Sequence, residues 1–214
     1  MKNKPPYSRK LRIFDICLDT TSGGPSPDAN HRTLVNFAGC GKAMSGHPCK
    51  DCCNPLFWNK MDGQFTTVDE VFLKILYNGL PYVTFGGGEP TDQKKGVIQL
   101  AHKLRCIGFH VIMFSWHSRS WFIKNWSSDE LRCFDMIITE PYDETQHIAD
   151  STKNDGVHNA IGSANQEIWI NPATDNMVFL AGNVAKMEMD EDLTLKVYLH
   201  NGEICECKSF WLDY

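Results

Sequence analysis

Four cysteines crowd into fourteen residues of this chain: Cys40, Cys49, Cys52 and Cys53, in the stretch GCGKAMSGHPCKDCCNPLFW from Gly39 to Trp58. The C-x-x-C pair Cys49 and Cys52 lets two thiolates face one metal centre, and Cys40 can close on that centre across an eight-residue loop. Three thiolates suit a four-iron cluster with one iron left open. A structural zinc ion wants a fourth ligand, which Cys53 or His47 could supply. Spacing alone leaves both chemistries open. Some thirty residues later an apolar run ends in Gly86-Gly87-Gly88-Glu89-Pro90. Glycines there admit close backbone approach to a ligand, and the lack of a following Lys-Ser/Thr excludes a phosphate loop.

The elements that must position these residues follow from periodicity. Leu11 to Leu18 alternates as a strand, and Thr20 to His31 is a loop dense in Gly, Pro and Ser. Arg32 to Phe37 is the strand that delivers Cys40. Thr67 to Gly79 is the clearest helix: Val68, Val71, Phe72, Ile75 and Leu76 share a face, Thr67 with Glu70 makes a capping box, and Gly79 stops it. Then come a strand at Tyr82 to Phe85, a helix at Lys94 to Ile107 and a continuous apolar run at Phe109 to Ser115. A helix near Asp129 to Cys133 leads to a strand at Phe134 to Thr139.

Such alternation means crossovers and a parallel sheet covered on both sides. Five or six strands are too few for a closed eight-stranded barrel, so the expected α/β fold is an open partial (β/α) barrel over residues 1–170. Ligands bind beyond the carboxyl ends of such strands. The cysteine loop, the Gly-Gly-Glu turn and Ser115-Trp116-His117 all follow strands directly and should therefore gather at one mouth. Residues 171–214 read as a C-terminal antiparallel β extension, with strands at Met177 to Val184, Leu193 to Leu199 and Glu203 to Phe210. A type I′ turn at Asn201-Gly202 is expected to join the last two.

Composition narrows the classes. The 214 residues carry a net charge of -5 with 42% hydrophobic content, normal for one globular domain. Neither a Lys/Arg stripe nor an apolar run of about 18 residues occurs, which argues against nucleic acid and a membrane as partners. The N-terminus has no apolar stretch of a secretory signal. Nine cysteines, an odd number with four of them crowded in one loop, suit reduced thiols in the cytoplasm rather than a disulfide framework. Cys17, Cys106 and Cys133 read as small buried hydrophobes.

Taken together, cysteine cluster, helix, strand and Gly-Gly-Glu-Pro resemble the radical S-adenosylmethionine (SAM) enzymes. Cys49-Lys50-Asp51-Cys52-Cys53-Asn54-Pro55-Leu56-Phe57-Trp58 is similar to the C-x-x-C-x-N-P-x-x-W of the activating proteins of anaerobic ribonucleotide reductase. Phe134 to Glu140 and Gly162-Ser163-Ala164-Asn165-Gln166 resemble that family's late strand and its G-S-S-N-Q segment. The gap between Cys40 and Cys49 is longer than the family's. The resemblance implies a [4Fe-4S] cluster on Cys40, Cys49 and Cys52, with Gly87, Gly88 and Glu89 holding the amino group of S-adenosyl-L-methionine. Asp51, Cys53, Asn54 and Ser115 would lie beside the cofactors. It implies reductive SAM cleavage and a glycyl radical formed on the large subunit of the reductase, with an electron donor such as flavodoxin. One alternative is a small radical SAM enzyme acting on a free metabolite, such as a deazapurine precursor. The other is a zinc-stabilised binding module.

Overall fold

A computed structural model describes residues 8–27, 31–148, 161–174 and 177–208. Its strands are β1 (Lys10–Thr20), β2 (Arg32–Phe37), β3 (Gln64–Thr67), β4 (Tyr82–Gly87), β5 (His110–Phe114) and β6 (Met136–Thr139). They continue with β7 (Glu167–Ile170), β8 (Met177–Leu180), β9 (Val184–Met189), β10 (Thr194–Leu199) and β11 (Ile204–Lys208). The helices are α1 (Gly41–Met44), α2 (Val68–Asn78), α3 (Lys94–Arg105), α4 (Arg119–Asn125) and α5 (Ser128–Leu131). The α2 boundaries follow the local chemistry. Thr67 and Glu70 form the reciprocal capping box, and Gly79 ends the helix at φ 81°. Among the described residues no helix is long and apolar enough to cross a membrane.

One sheet has eight strands in the order β3-β1-β2-β4-β5-β6-β7-β8, and a second, antiparallel sheet has the order β11-β10-β9. Only β2, β4, β5 and β6 run parallel. The flanking strands pair antiparallel, β1 and β3 on one side and β7 and β8 on the other. Met177–Leu180 therefore extends the large sheet, and the separate sheet starts at Val184. The end of the strand expected up to Phe210 lies outside the described residues.

Two cores explain the unbroken apolar runs. Along β5, Val111 and Met113 join Leu100, Leu104, Val71 and Ile75 beneath the helices, whereas Ile112 points the other way. There it meets Met136, Ile138, Ile168 and Ile170, packed with Val184, Met187, Leu195 and Val197 of the small sheet. Successive strand residues face opposite sides, so a strand covered on both must be apolar throughout. The cover on the second side is the C-terminal sheet.

The β10–β11 turn differs from the type I′ expectation. Gly202 has φ 88°, but Asn201 is not left-handed, and Leu199 N donates to Glu203 O at 2.9 Å. A type I turn with glycine at its end, closing a three-residue loop, fits this pattern.

Arg32, at the start of β2, is fully buried. Its guanidinium donates to Pro25 O at 2.6 Å, Val83 O at 2.8 Å and Thr84 Oγ1 at 2.8 Å. It thereby ties the 20–27 loop to β4. Burial lowers its pKa to about 9, with Asp135 opposing, so it remains charged at neutral pH. Arg32→Met should cost on the order of 3 kcal/mol in denaturant unfolding, because buried carbonyls lose their donors.

Candidate functional site

The carboxyl ends of β2, β4, β5 and β6 open onto one cavity of about 360 Å³. Cys40, Cys49, Cys52, Cys53 and Asn54 line it together with Gly87, Gly88, Glu89 and Ser115. Asp51 is not on its wall; it is exposed, at φ 53°. His47 is exposed and away from the cavity as well.

The segment carrying Cys40 is held by the loop after β4. Gly88 N donates to Phe37 O at 2.8 Å and Glu89 N to Gly39 O at 2.6 Å. Gln93 Nε2 donates to Ala38 O at 3.1 Å, and Asp92 Oδ2 accepts from Gly41 N at 2.6 Å. Glycines are required for this approach. A Cβ on Gly87 would sit 2.7 Å from Phe37 N, and one on Gly88 only 2.2 Å from Gly39 O. The Gly-Gly-Glu turn thus clamps the first cysteine.

All four cysteines are free thiols. Burial pushes the Cys40 thiol up; the Ala43 amide opposes this, and Glu89 and Asp92 add to the rise. Burial also raises Cys49, against the pull of Lys42 and with Cys52 adding to the rise. Metal binding here would expel protons. Cys52 Sγ accepts from Asn54 N at 3.4 Å. Among the described residues no three His, Cys, Asp or Glu side chains converge on a single-ion site. A four-iron cube takes its thiolates at separate corners, and cysteines spread around one cavity wall fit that requirement.

Glu89 is 1% exposed. Its Oε1 accepts from Thr91 N (3.0 Å), Thr91 Oγ1 (2.7 Å) and Ser115 Oγ (3.0 Å), and its Oε2 from Trp116 N (3.1 Å). Ser115 therefore orients Glu89. Burial nevertheless raises the carboxyl from 4.5 to about 7. A raised folded value makes the contribution to stability complete below pH 4.5 and lost as pH rises through 7. The wild-type chain without cofactors should lose about 3 kcal/mol over that window relative to Glu89→Gln. Urea midpoints at pH 4.5 and 8 check this. Glu89→Gln will be weaker at low pH, because its amide turns a donor toward other donors.

The opposite wall comes from the loop after β6. Glu140, at φ 75°, and Tyr142 both line the cavity. Gly162 to Gln166 brace this loop. Gln166 Oε1 accepts from Gly162 N (3.0 Å) and Ser163 N (3.2 Å), and Asn165 Nδ2 donates to Pro141 O (2.9 Å). A Cβ on Gly162 would strike the Tyr142 ring at 2.9 Å. The Tyr142 amide in turn favours the Cys49 thiolate. His117 sits beside Ser115, donating its amide to Ser115 Oγ at 3.1 Å, but its ring is not on the cavity wall: it stacks on Trp121, with centroids 3.5 Å apart, and meets the tilted Trp116 ring at 3.7 Å. Its burial lowers its pKa to about 4.

Glu140, Tyr142 and Asp92 escape a sequence reading. The position of Glu140, directly after a strand end, is the signal that could have found the first two.

A family model described as a 4Fe-4S single cluster domain matches residues 30–169 of the chain. No curated protein matches it.

Proposed function

Because the chain belongs to the 4Fe-4S single cluster domain family, we propose that Cys40, Cys49 and Cys52 hold a [4Fe-4S] cluster used to cleave S-adenosylmethionine, on a partial barrel of the radical SAM type. The observation that carries this reading is the meeting of three cysteines and Glu89 on one cavity at the parallel strand ends. When bound, the cluster and SAM would supply one-electron reductive chemistry, directed in this reading at hydrogen abstraction from a glycine of the partner.

The chain's own residues do the rest. Gly87 and Gly88 keep side chains out of the space behind Cys40. The second oxygen of Glu89 has one donor, Trp116 N, and so keeps capacity for an ammonium group. Asn54 N–H donates to Cys52 Sγ and fixes where that sulfur sits on the cavity wall. The loop carrying Tyr142 and the segment 162–166 form one wall of the cavity. Cys53, Asn54 and Ser115 flank the same space, and Asp51 lies outside it.

The proposed partner is the large glycyl-radical subunit of anaerobic ribonucleotide reductase. Anaerobic reconstitution should give a brown chain that releases 5′-deoxyadenosine from SAM under dithionite. Mixing with that subunit should give a glycine-centred radical signal. A brown chain that cleaves SAM without a glycyl signal points to a small-molecule substrate; a colourless one ends the reading.

A further inference from the structure

Side chains alternate along β2. Val35 and Phe37 enter the core beneath the helices, while Leu34 and Asn36 turn to the other face and line the cysteine cavity. The cavity thus runs on from the cysteines to Ser22 and Gly23, in the loop after β1. Asn36 stands opposite Gly86 in the β2–β4 register, and a Cβ on Gly86 would meet only Leu34 Cδ1, at 3.5 Å. Open room therefore lies beside the Asn36 amide.

Asn36 is 7% exposed, and its Nδ2 donates to Oδ1 of the exposed Asp15 at 2.5 Å. An ionised carboxylate only accepts, so this bond fixes which way the amide is turned. Asn36 Oδ1 accepts from no described residue and is not shut off from solvent. A buried asparagine on the cavity wall thus keeps one acceptor and one further N–H in reserve. The complement of an amide is another amide, whose N–H gives to the oxygen and whose C=O takes from the nitrogen. Among the described residues the wall carries two carboxylates, Glu89 and Glu140, and no Lys, Arg or His. A carboxylate or phosphate on a substrate would meet no counter-charge there; an uncharged peptide backbone needs none.

We propose that Asn36 is a specificity-determining residue that reads the peptide amide of the hydrogen-donating substrate, its Oδ1 accepting a backbone N–H beside the target carbon. Asp15 is a positioning residue that acts through Asn36. This deepens the glycyl reading above and rests on it.

The test is anaerobic glycyl-radical formation by the reconstituted full chain, at limiting concentrations of the large subunit named above. Asn36→Leu keeps the side chain's shape and removes its amide. Asn125→Leu makes the same change at the exposed end of α4. Radical formation by Asn36→Leu should be about tenfold slower, because a desolvated N–H of the substrate is left unpaired. Asn125→Leu should stay within twofold of wild type, and iron per chain and SAM retained on gel filtration should match in all three proteins. Asp15→Ala should slow the reaction about threefold by itself and add nothing in the Asn36→Leu background. A rate within twofold of wild type for Asn36→Leu, loss of its iron or SAM, or an Asp15→Ala effect that persists without the amide would overturn the assignment. A wild-type chain that cleaves SAM and gives no glycyl signal would end the reading beneath it, and this inference with it.

Discussion

Cys40→Ala is expected to abolish the brown chromophore on anaerobic reconstitution, whereas Cys53→Ala keeps it. Iron bound per chain should fall from about four to below one in the first variant and stay near four in the second. The contrast follows from how the two thiols are placed. Cys40 is 9% exposed, and four hydrogen bonds from the β4–α3 loop hold the backbone around it. Such a ligand is prepared before iron arrives. Cys53 is exposed on the adjacent loop, beside Cys49 and Cys52. Iron and sulfide assays with visible spectra check the pair. Loss of the chromophore in Cys53→Ala with retention in Cys40→Ala would assign the third ligand to Cys53 and move the open iron.

The second large effect is at Gly88. A methyl there would lie 2.2 Å from Gly39 O and 2.8 Å from Phe57 O, both backbone atoms that cannot step aside alone. Gly88→Ala should destabilise by about 3 kcal/mol, the upper part of the range for overpacking. For a chain of this size that means a Tm lower by roughly 6–12 °C. The damage should be directional as well. The Cys40 segment must back away, so its thiol in the iron-free protein should react with iodoacetamide faster than in the wild type. Gly86→Ala is the matched control. Its Cβ would meet only Leu34 Cδ1 at 3.5 Å, so a loss below about 1 kcal/mol is expected.

Residue order made the parallel centre of the sheet legible. The helix face of α2, its Thr67 cap and its Gly79 stop are local signals, and local chemistry sets them. Strand ends at Phe37, Gly87 and Phe114 then put Cys40, Glu89 and Ser115 at one mouth. Periodicity could not show that Ile112 and Ile138 face the small sheet, because a run apolar on both sides reads the same whatever covers it. Nor could it show that Gly87 and Gly88 are glycine for the sake of Phe37 and Gly39, a contact spanning some fifty residues. The segment from Gly162 to Gln166, which sequence marks only by its likeness to a family motif, lines the cavity with Gly162 and Gln166 and braces the loop after β6, a role set by long-range contacts.

The small sheet that shields Ile112, Met136, Ile138 and Ile168 is synthesised after the strands it covers. On the ribosome, the parallel strands emerge while one of their oily sides is still bare. It stays bare until residues beyond 184 follow, an interval in which nascent chains stick to one another. A copy terminated near Gly182 would accordingly be an aggregating fragment rather than a trimmed version of the protein.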